Sequence, residues 1–114
     1  MKYIELSTPL IIIENLLNDL NFLEKKEKIL KIDIPGEGNM NLVIRVYSNL
    51  RTFIIKQSRP FVQKYPSINA PLNRIKVEKI FFEVIKNEDI NKYFPEVLLY
   101  NENNKILILK DLVN

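Results

Sequence analysis

The first long hydrophobic pattern in this chain has the period of a helix. Four apolar residues recur at the spacing of one helix face: Ile13, Leu16, Leu17 and Leu20. Leu23 is a candidate fifth member of this face. Glu14 lies among the acidic and amide residues between these apolar residues. Thr8-Pro9 precedes the pattern and predicts a hydroxyl N-cap with proline at the first helical position. We therefore expect an amphipathic helix near the N-terminus that packs on the rest of the protein.

Three β-strands are predicted next. Residues 28–34 alternate weakly and end at Pro35, and residues 42–47 and 52–57 are rich in β-branched and aromatic residues. Ser48-Asn49-Leu50-Arg51 separates the last two and predicts a hairpin turn. Such short connections imply antiparallel pairing.

The second half of the chain predicts a helix and two more strands. Residues 59–71 contain three prolines and predict an irregular excursion, whereas residues 72–86 have a helical pattern. Residues 96–100 and 105–110 flank a strong hairpin pattern, Asn101-Glu102-Asn103-Asn104. The predicted class is α+β: a five-stranded antiparallel sheet, an N-terminal helix and a helix between strands 3 and 4.

Length and composition limit the function. With 114 residues, we expect a single domain, 1–114. The absence of cysteine and histidine excludes disulfides, thiol and imidazole catalysis and the usual zinc and iron ligand sets.

Charge and hydropathy argue against nucleic acids and membranes as partners. The net charge of +3 is scattered, and glutamates interrupt the lysines near residue 25, so we expect no nucleic-acid binding. The longest apolar run is too short to span a bilayer, and the polar face of the first helix is not basic, so we expect no membrane binding. No signal peptide is recognised, and we expect a cytoplasmic location.

The only two glycines lie two residues apart, in Gly36-Glu37-Gly38-Asn39-Met40-Asn41, between the first two predicted strands. Paired glycines let a loop fold over phosphates and direct backbone N–H groups at them. The same loop is also compatible with an ordinary hairpin turn.

A lysine and a glutamate follow in the order used by protein-kinase-like phosphotransferases. Lys56 is at the far end of the third strand, on one face with Thr52 and Ile54. Glu78 is on the apolar arc of the second helix, with Val77, Phe81, Phe82, Val84 and Ile85, where a carboxylate needs a cation. A lysine oriented by such a glutamate could hold nucleotide phosphates. Alternatively, Lys56 is solvated and Glu78 pairs with Arg74.

Taken in order, these stretches resemble the N-terminal lobe of the 5-methylthioribose kinase family, within the aminoglycoside-phosphotransferase-like and choline-kinase-like group. The residues 36–46 are similar to the family's Gly-Asp-Gly-Asn-Leu-Asn loop and second strand, and Ile-Ile-Lys-Gln to its strand lysine. Residues 58–72 resemble its Pro-Tyr-Val-Arg insertion, and residues 74–78 its Arg-x-x-x-Glu helix opening. Asn41 occupies the third glycine position of the wider kinase pattern, where asparagine tolerates a tight loop.

The resemblance implies a role for each matching residue. The loop Gly36, Glu37, Gly38, Asn39, Met40 and Asn41 would cover the phosphates of ATP, and Val43 and Ile54 would line the adenine. Lys56 would contact the phosphates and Glu78 would orient it. The backbone of Lys110, Asp111 and Leu112 would meet the adenine edge as the hinge. The family reaction is ATP-dependent phosphorylation of the 1-hydroxyl of methylthioribose, in methionine salvage.

The family's His-Gly-Asp loop and metal-binding acidic segment belong to a second lobe that this sequence lacks. We therefore expect ATP binding without turnover, no metal ligand and no catalytic residue in this chain, and Mg²⁺ only together with the second lobe. The partner would be that lobe, or a second copy bound through the apolar surface left exposed. The alternative function is a stand-alone interaction module without nucleotide chemistry.

Overall fold

The computed structural model describes residues 4–5, 8–34, 41–58, 61–62, 65–69, 76, 79–81, 83 and 95–111. The elements are a helix α1 (Leu10–Asp19) and the strands β1 (Ile29–Asp33), β2 (Asn41–Ser48), β3 (Thr52–Ser58), β4 (Phe61–Val62), β5 (Tyr65–Asn69), β6 (Val97–Asn101) and β7 (Ile106–Lys110). Five strands form one antiparallel sheet in the order β1-β2-β3-β7-β6. The predicted α+β class, with a five-stranded antiparallel sheet and an N-terminal helix, is confirmed.

The second predicted helix is described only in part. Lys76, Lys79, Ile80, Phe81 and Glu83 are helical, and we call them the second helical segment. Lys76 and Glu83 are exposed, as expected for the solvent side of this helix. Phe81 was expected to face the sheet, but it is 48% exposed. A uniform helical wheel therefore misplaces this side chain.

The hydrophobic core lies between α1 and one face of the sheet. Strands β2 and β3 bury every second residue, because successive side chains of a strand point to opposite faces. On the helix-covered face, the buried hydrophobic residues of the sheet are Leu42, Ile44, Val46, Phe53, Ile55, Ile106 and Ile108. Ile13, Leu16 and Leu17 of α1 pack against them, and Leu20 and Leu23 add partly buried contacts. The predicted apolar face of α1 is therefore the face that packs.

The N-terminus of α1 differs from the expected cap. Pro9 occupies the N-cap position, with extended backbone angles (φ −59°, ψ 146°), and helical residues begin at Leu10. The Thr8 hydroxyl accepts a hydrogen bond from the N–H of Glu5 (2.8 Å) instead of capping the helix. The expected threonine cap was therefore wrong, because a local turn already uses the hydroxyl.

The C-terminus of α1 uses an asparagine. Asn21 has a positive φ of 58°, a conformation that asparagine tolerates better than most residues. Its N–H donates to the Asn18 carbonyl (2.9 Å), and the N–H of Phe22 donates to the Leu17 carbonyl (3.0 Å). These two bonds satisfy carbonyls at the helix end and turn the chain towards β1.

Residues 59–71 were expected to be irregular, and this was wrong for their described part. Strands β4 and β5 form a separate two-stranded antiparallel sheet, with Phe61 opposite Asn69 and Val62 opposite Tyr65. In a two-stranded sheet both strands are edge strands, and an edge strand accepts a proline such as Pro66 where the proline nitrogen faces away from the partner strand. Proline content alone therefore did not exclude strands here.

Glu14 was counted on the polar side of α1, but it is 8% exposed. Its Oε1 accepts a hydrogen bond from the N–H of Ile29 (3.1 Å), at the start of β1. A carboxylate on the buried side of the helix thus satisfies a backbone donor of the edge strand.

A buried ion pair joins the segment after α1 to the β2–β3 turn. The Glu27 side chain is fully buried, and Arg51 donates to it through Nε and Nη2, each at 3.0 Å. The Ser48 hydroxyl (2.6 Å) and the N–H of Glu24 (2.8 Å) also donate to Glu27. The Arg51 guanidinium lies over the rings of Phe22 (4.4 Å) and Phe53 (5.5 Å). This pair therefore has the bidentate geometry and extra hydrogen bonds that a buried carboxylate requires.

We predict that Arg51→Ala lowers the free energy of unfolding by about 2–4 kcal/mol, because it leaves the Glu27 carboxylate buried without its cation. Urea denaturation at pH 7 measures the change. Lys25→Ala, which removes an exposed cation from the same segment, is the matched control and should change stability by less than about 0.5 kcal/mol. Equal stability of the two variants would show that the ion pair contributes nothing.

The same pair predicts an acid dependence of stability. Burial raises the pKa of Glu27, but the hydrogen bonds from Arg51, Ser48 and Glu24 outweigh it, so the pKa lies below its usual range. A carboxyl whose pKa is lowered by folding stabilises the protein above its unfolded pKa, and this stabilisation is lost as the pH falls through the folded pKa. Urea denaturation from pH 7 to 3 should show that the free energy of unfolding falls less in Glu27→Gln than in the wild type. Identical pH profiles would contradict this.

Candidate functional site

The pairing register brings together three of the residues expected to bind ATP. Lys56 on β3 lies opposite Val43 on β2 and Leu107 on β7. One step along the same face, Ile54 lies opposite Arg45 and Leu109. Directly opposed residues of an antiparallel pair share a face, so Val43, Ile54 and Lys56 lie together on the face away from α1. We call this the Lys56 face.

Around Lys56, the Lys56 face is lined by aliphatic side chains and is partly open. Val43, Ile54 and Lys56 are half-buried, whereas Leu107 and Leu109 are buried in a small cluster with Ile54, Val97 and Tyr100. On the helix-covered face, the hydrophobic side chains of β2, β3 and β7 are buried. A half-buried cation beside aliphatic side chains can bind a ligand that has both an anionic group and an apolar group. The low local polarity strengthens the attraction between the cation and the anionic group.

Several predicted site residues cannot be placed. Gly36, Glu37, Gly38, Asn39 and Met40 lie outside the described residues, and so do Glu78, Arg74 and Leu112. Asn41 is described as the first residue of β2, opposite Ser58. The Lys56–Glu78 pair and the alternative Arg74–Glu78 pair both remain predictions.

The residues predicted as the hinge lie where β7 ends. The side chain of Lys110 is exposed, and its N–H donates to the carbonyl of Glu96 (2.8 Å). That donor is therefore already used in a hydrogen bond to the residue directly before β6. The Asp111 side chain is only 3% exposed, and its Oδ2 accepts a hydrogen bond from Arg45 Nε (2.9 Å). The chain is thus anchored on both sides as it leaves β7.

Arg45 is the centre of a charge network that the sequence interpretation missed. Besides Asp111, its guanidinium lies 3.9 Å from Oδ1 of Asp33, which is 45% exposed on β1. The Tyr47 hydroxyl donates to Oδ2 of Asp33 (2.8 Å), and the Lys31 ammonium lies 4.6 Å from the Tyr47 ring centre. The hydrogen bond to Asp33, together with burial, raises the pKa of Tyr47. Period-two counting along β1 and β2 could have placed these residues on one face.

Gln57, the neighbour of Lys56, has a structural role that the sequence did not reveal. It is completely buried on the helix-covered face. Its Oε1 accepts from the N–H of Ile4 (2.7 Å), and its Nε2 donates to the carbonyl of Asn104 (2.9 Å). One amide side chain thus binds the N-terminal segment and the β6–β7 turn to β3, close to Lys56.

The second helical segment lies beside the β6–β7 hairpin. Lys79 Nζ pairs with Oε1 of Glu83 (2.7 Å) and lies 5.4 Å from the Tyr100 ring centre. Lys76 pairs with Glu102 (3.5 Å), an exposed pair that contributes little stability. Burial and then the Glu102 charge raise the pKa of Tyr100, whereas Lys79 lowers it. The described part of this helix therefore lies next to Tyr100 and Glu102 of the β6–β7 hairpin.

Two polar atoms of this face lack a partner within the described residues. The Tyr100 hydroxyl and Oγ1 of Thr52 are both buried without a hydrogen bond to any described residue. In the same part of the chain, no group of three acidic side chains could hold a metal ion. The described helices include none with the length and apolar character needed to cross a membrane.

No protein-family model and no curated protein sequence matches this chain.

Proposed function

We propose that this chain is the ATP-binding lobe of a small-molecule phosphotransferase similar to methylthioribose kinases. The observation that supports it best is the shared position of Lys56, Val43 and Ile54 on the partly open face. A lysine on the third strand, after a glycine-containing loop between the first two strands, is the kinase arrangement for holding phosphates.

The geometry fits the two chemical parts of a nucleotide. Val43 and Ile54 provide aliphatic surface for the base, and Lys56 provides the cation for the phosphates. Asn41 starts β2 directly after the glycine loop, two residues before Val43. Since Val43 is opposite Lys56, the loop joins the sheet at the same end as the lysine. Phosphates near Lys56 would thus lie beside the loop expected to cover them.

Phosphoryl transfer belongs to the same proposal. The acceptor would be the 1-hydroxyl of a methylthioribose-like sugar, in methionine salvage in the cytoplasm. The sequence has no histidine and thus no His-Gly-Asp loop, so the catalytic groups and the Mg²⁺ ligands would come from a second lobe. The partners of this chain would then be the nucleotide and that lobe.

The second candidate is a stand-alone interaction module. It is favoured by large apolar side chains that are exposed on α1, on β1 and directly after β1: Ile11 (57%), Ile12 (51%), Leu30 (60%) and Ile34 (53%). Exposed apolar groups of this size occur at interaction surfaces, including those between copies of one chain. A module of this kind would not require Lys56.

We predict that Lys56→Ala weakens ATP binding about tenfold or more, the loss expected for one charge-assisted phosphate contact. Titration of the ¹⁵N-labelled chain with ATP, followed by NMR, measures the affinity. In the wild type, the largest shifts should map to Val43, Ile54 and Lys56.

The matched control is Lys25→Ala, which removes an exposed lysine away from the Lys56 face and should bind ATP as the wild type does. Equal losses in the two lysine variants would indicate nonspecific attraction to the net positive charge. ATP shifts that are absent in the wild type, or that map to α1, would contradict the proposed site and favour the interaction module.

A further inference from the structure

The Arg45–Asp111 pair connects the Lys56 face to the segment that follows β7. Arg45 lies opposite Ile54 in the register and thus belongs to the same face as the expected adenine-lining residues. Its side chain is 19% exposed, and Asp111 is almost fully buried, so water screens the 2.9 Å bond between them only weakly. This contact is therefore less screened by water than an ordinary surface ion pair, and it has the short distance of a charge-assisted hydrogen bond.

The contact restrains Asp111, the residue directly after β7. Lys110 is held on one side by the hydrogen bond from its N–H to the Glu96 carbonyl. Asp111 is held on the other side by Arg45. A residue at the end of an edge-adjacent strand would otherwise fray, because its ladder partners stop there. Here β7 pairs with β3 as far as Lys110, opposite Phe53, and the ion pair extends the restraint by one residue.

The network also reaches the strand before the glycine loop. Asp33, the last residue of β1, is 3.9 Å from the same guanidinium and accepts the Tyr47 hydroxyl. This contact is longer and more exposed than the Asp111 contact, so Asp111 is the main partner of Arg45.

We infer that Arg45 and Asp111 are positioning residues for the nucleotide base: their ion pair holds the backbone at Asp111, where the base edge would bind. This inference rests on the proposed function. Arg45 also faces two carboxylates, which compensate its charge, and this makes it a poor site for phosphate. The pair therefore acts on recognition of the base and leaves the phosphate contact to Lys56.

The experiment compares ATP with inorganic tripolyphosphate, which has the phosphates and no base. We expect Asp111→Asn and Arg45→Lys to weaken ATP binding about fivefold or more, the effect of misplacing one hydrogen bond, while tripolyphosphate affinity stays within about twofold. Asp111→Asn keeps the size of the side chain, and Arg45→Lys keeps its positive charge. The control is Asp19→Asn, an exposed aspartate at the end of α1, which should leave both affinities unchanged.

The outcomes separate the inference from the proposed function. If ATP binding depends on Lys56 but Asp111→Asn and Arg45→Lys change ATP and tripolyphosphate affinity equally, or change neither, the proposed function stands and the inference is overturned. If the wild type binds neither compound, both fail. Urea denaturation of each variant detects unfolding, and the ratio of the two affinities in the folded protein is a quantity that a purely structural role would not alter.

Discussion

The register of β3 between β2 and β7 is the constraint on which the rest of the structure depends. Phe53 and Ile55 must face α1 to be buried, and this alone places Ile54 and Lys56 on the opposite face. A slip of one residue would exchange the two sets and bury the lysine against α1, at the cost of an uncompensated charge in the core. The position of Lys56 is therefore determined by hydrophobic burial on the other side of the sheet.

Polar contacts anchor both ends of β3. Near the C-terminal end, Gln57 binds the N-terminal segment and the β6–β7 turn through its amide. Just before the N-terminal end, Arg51 binds the buried Glu27 and lies over two aromatic rings. Both anchors use groups whose geometry is fixed by several partners at once. A side chain presented from such a strand has little freedom to drift, and a binding site benefits from this rigidity.

Hydrophobic period, β-branched and aromatic content and turn patterns together were enough to predict the five strands of the sheet, and period alone predicted the packing face of α1 and the face of β3 on which Lys56 lies. These patterns did not predict features that depend on contacts between residues distant in sequence. Glu14 and Glu27 are polar residues buried because each meets a specific donor, which composition and period do not show. The β4–β5 pair was missed because prolines were taken to exclude strands, although edge strands accept them.

The candidate site was predictable to a similar extent. Alternate residues of a strand point to the same face, so Ile54 and Lys56 share a face of β3. Val43 lies on the neighbouring strand β2, which a short turn connects to β3. The Arg45–Asp111 pair joins residues 66 apart in sequence and requires β7 to lie beside β3, a crossover that no local pattern specifies. The alternation of side chains along β2 places Arg45 on the correct face, but its partner Asp111 can be identified only from the order of the strands in the sheet.

Charge is distributed unevenly along the Lys56 face, and this gives the proposed nucleotide a direction. Lys56 lies two residues beyond Ile54 on β3, roughly 7 Å along the strand. At the level of Ile54, Arg45 is compensated by Asp111 and Asp33, so that part of the face has no net positive charge to attract phosphate. An anionic group is favoured at the Lys56 end and a neutral, flat group at the Ile54 end. The electrostatics and the apolar surface therefore favour the same orientation, with the phosphates beside the loop that precedes β2 and the base beside the chain that leaves β7.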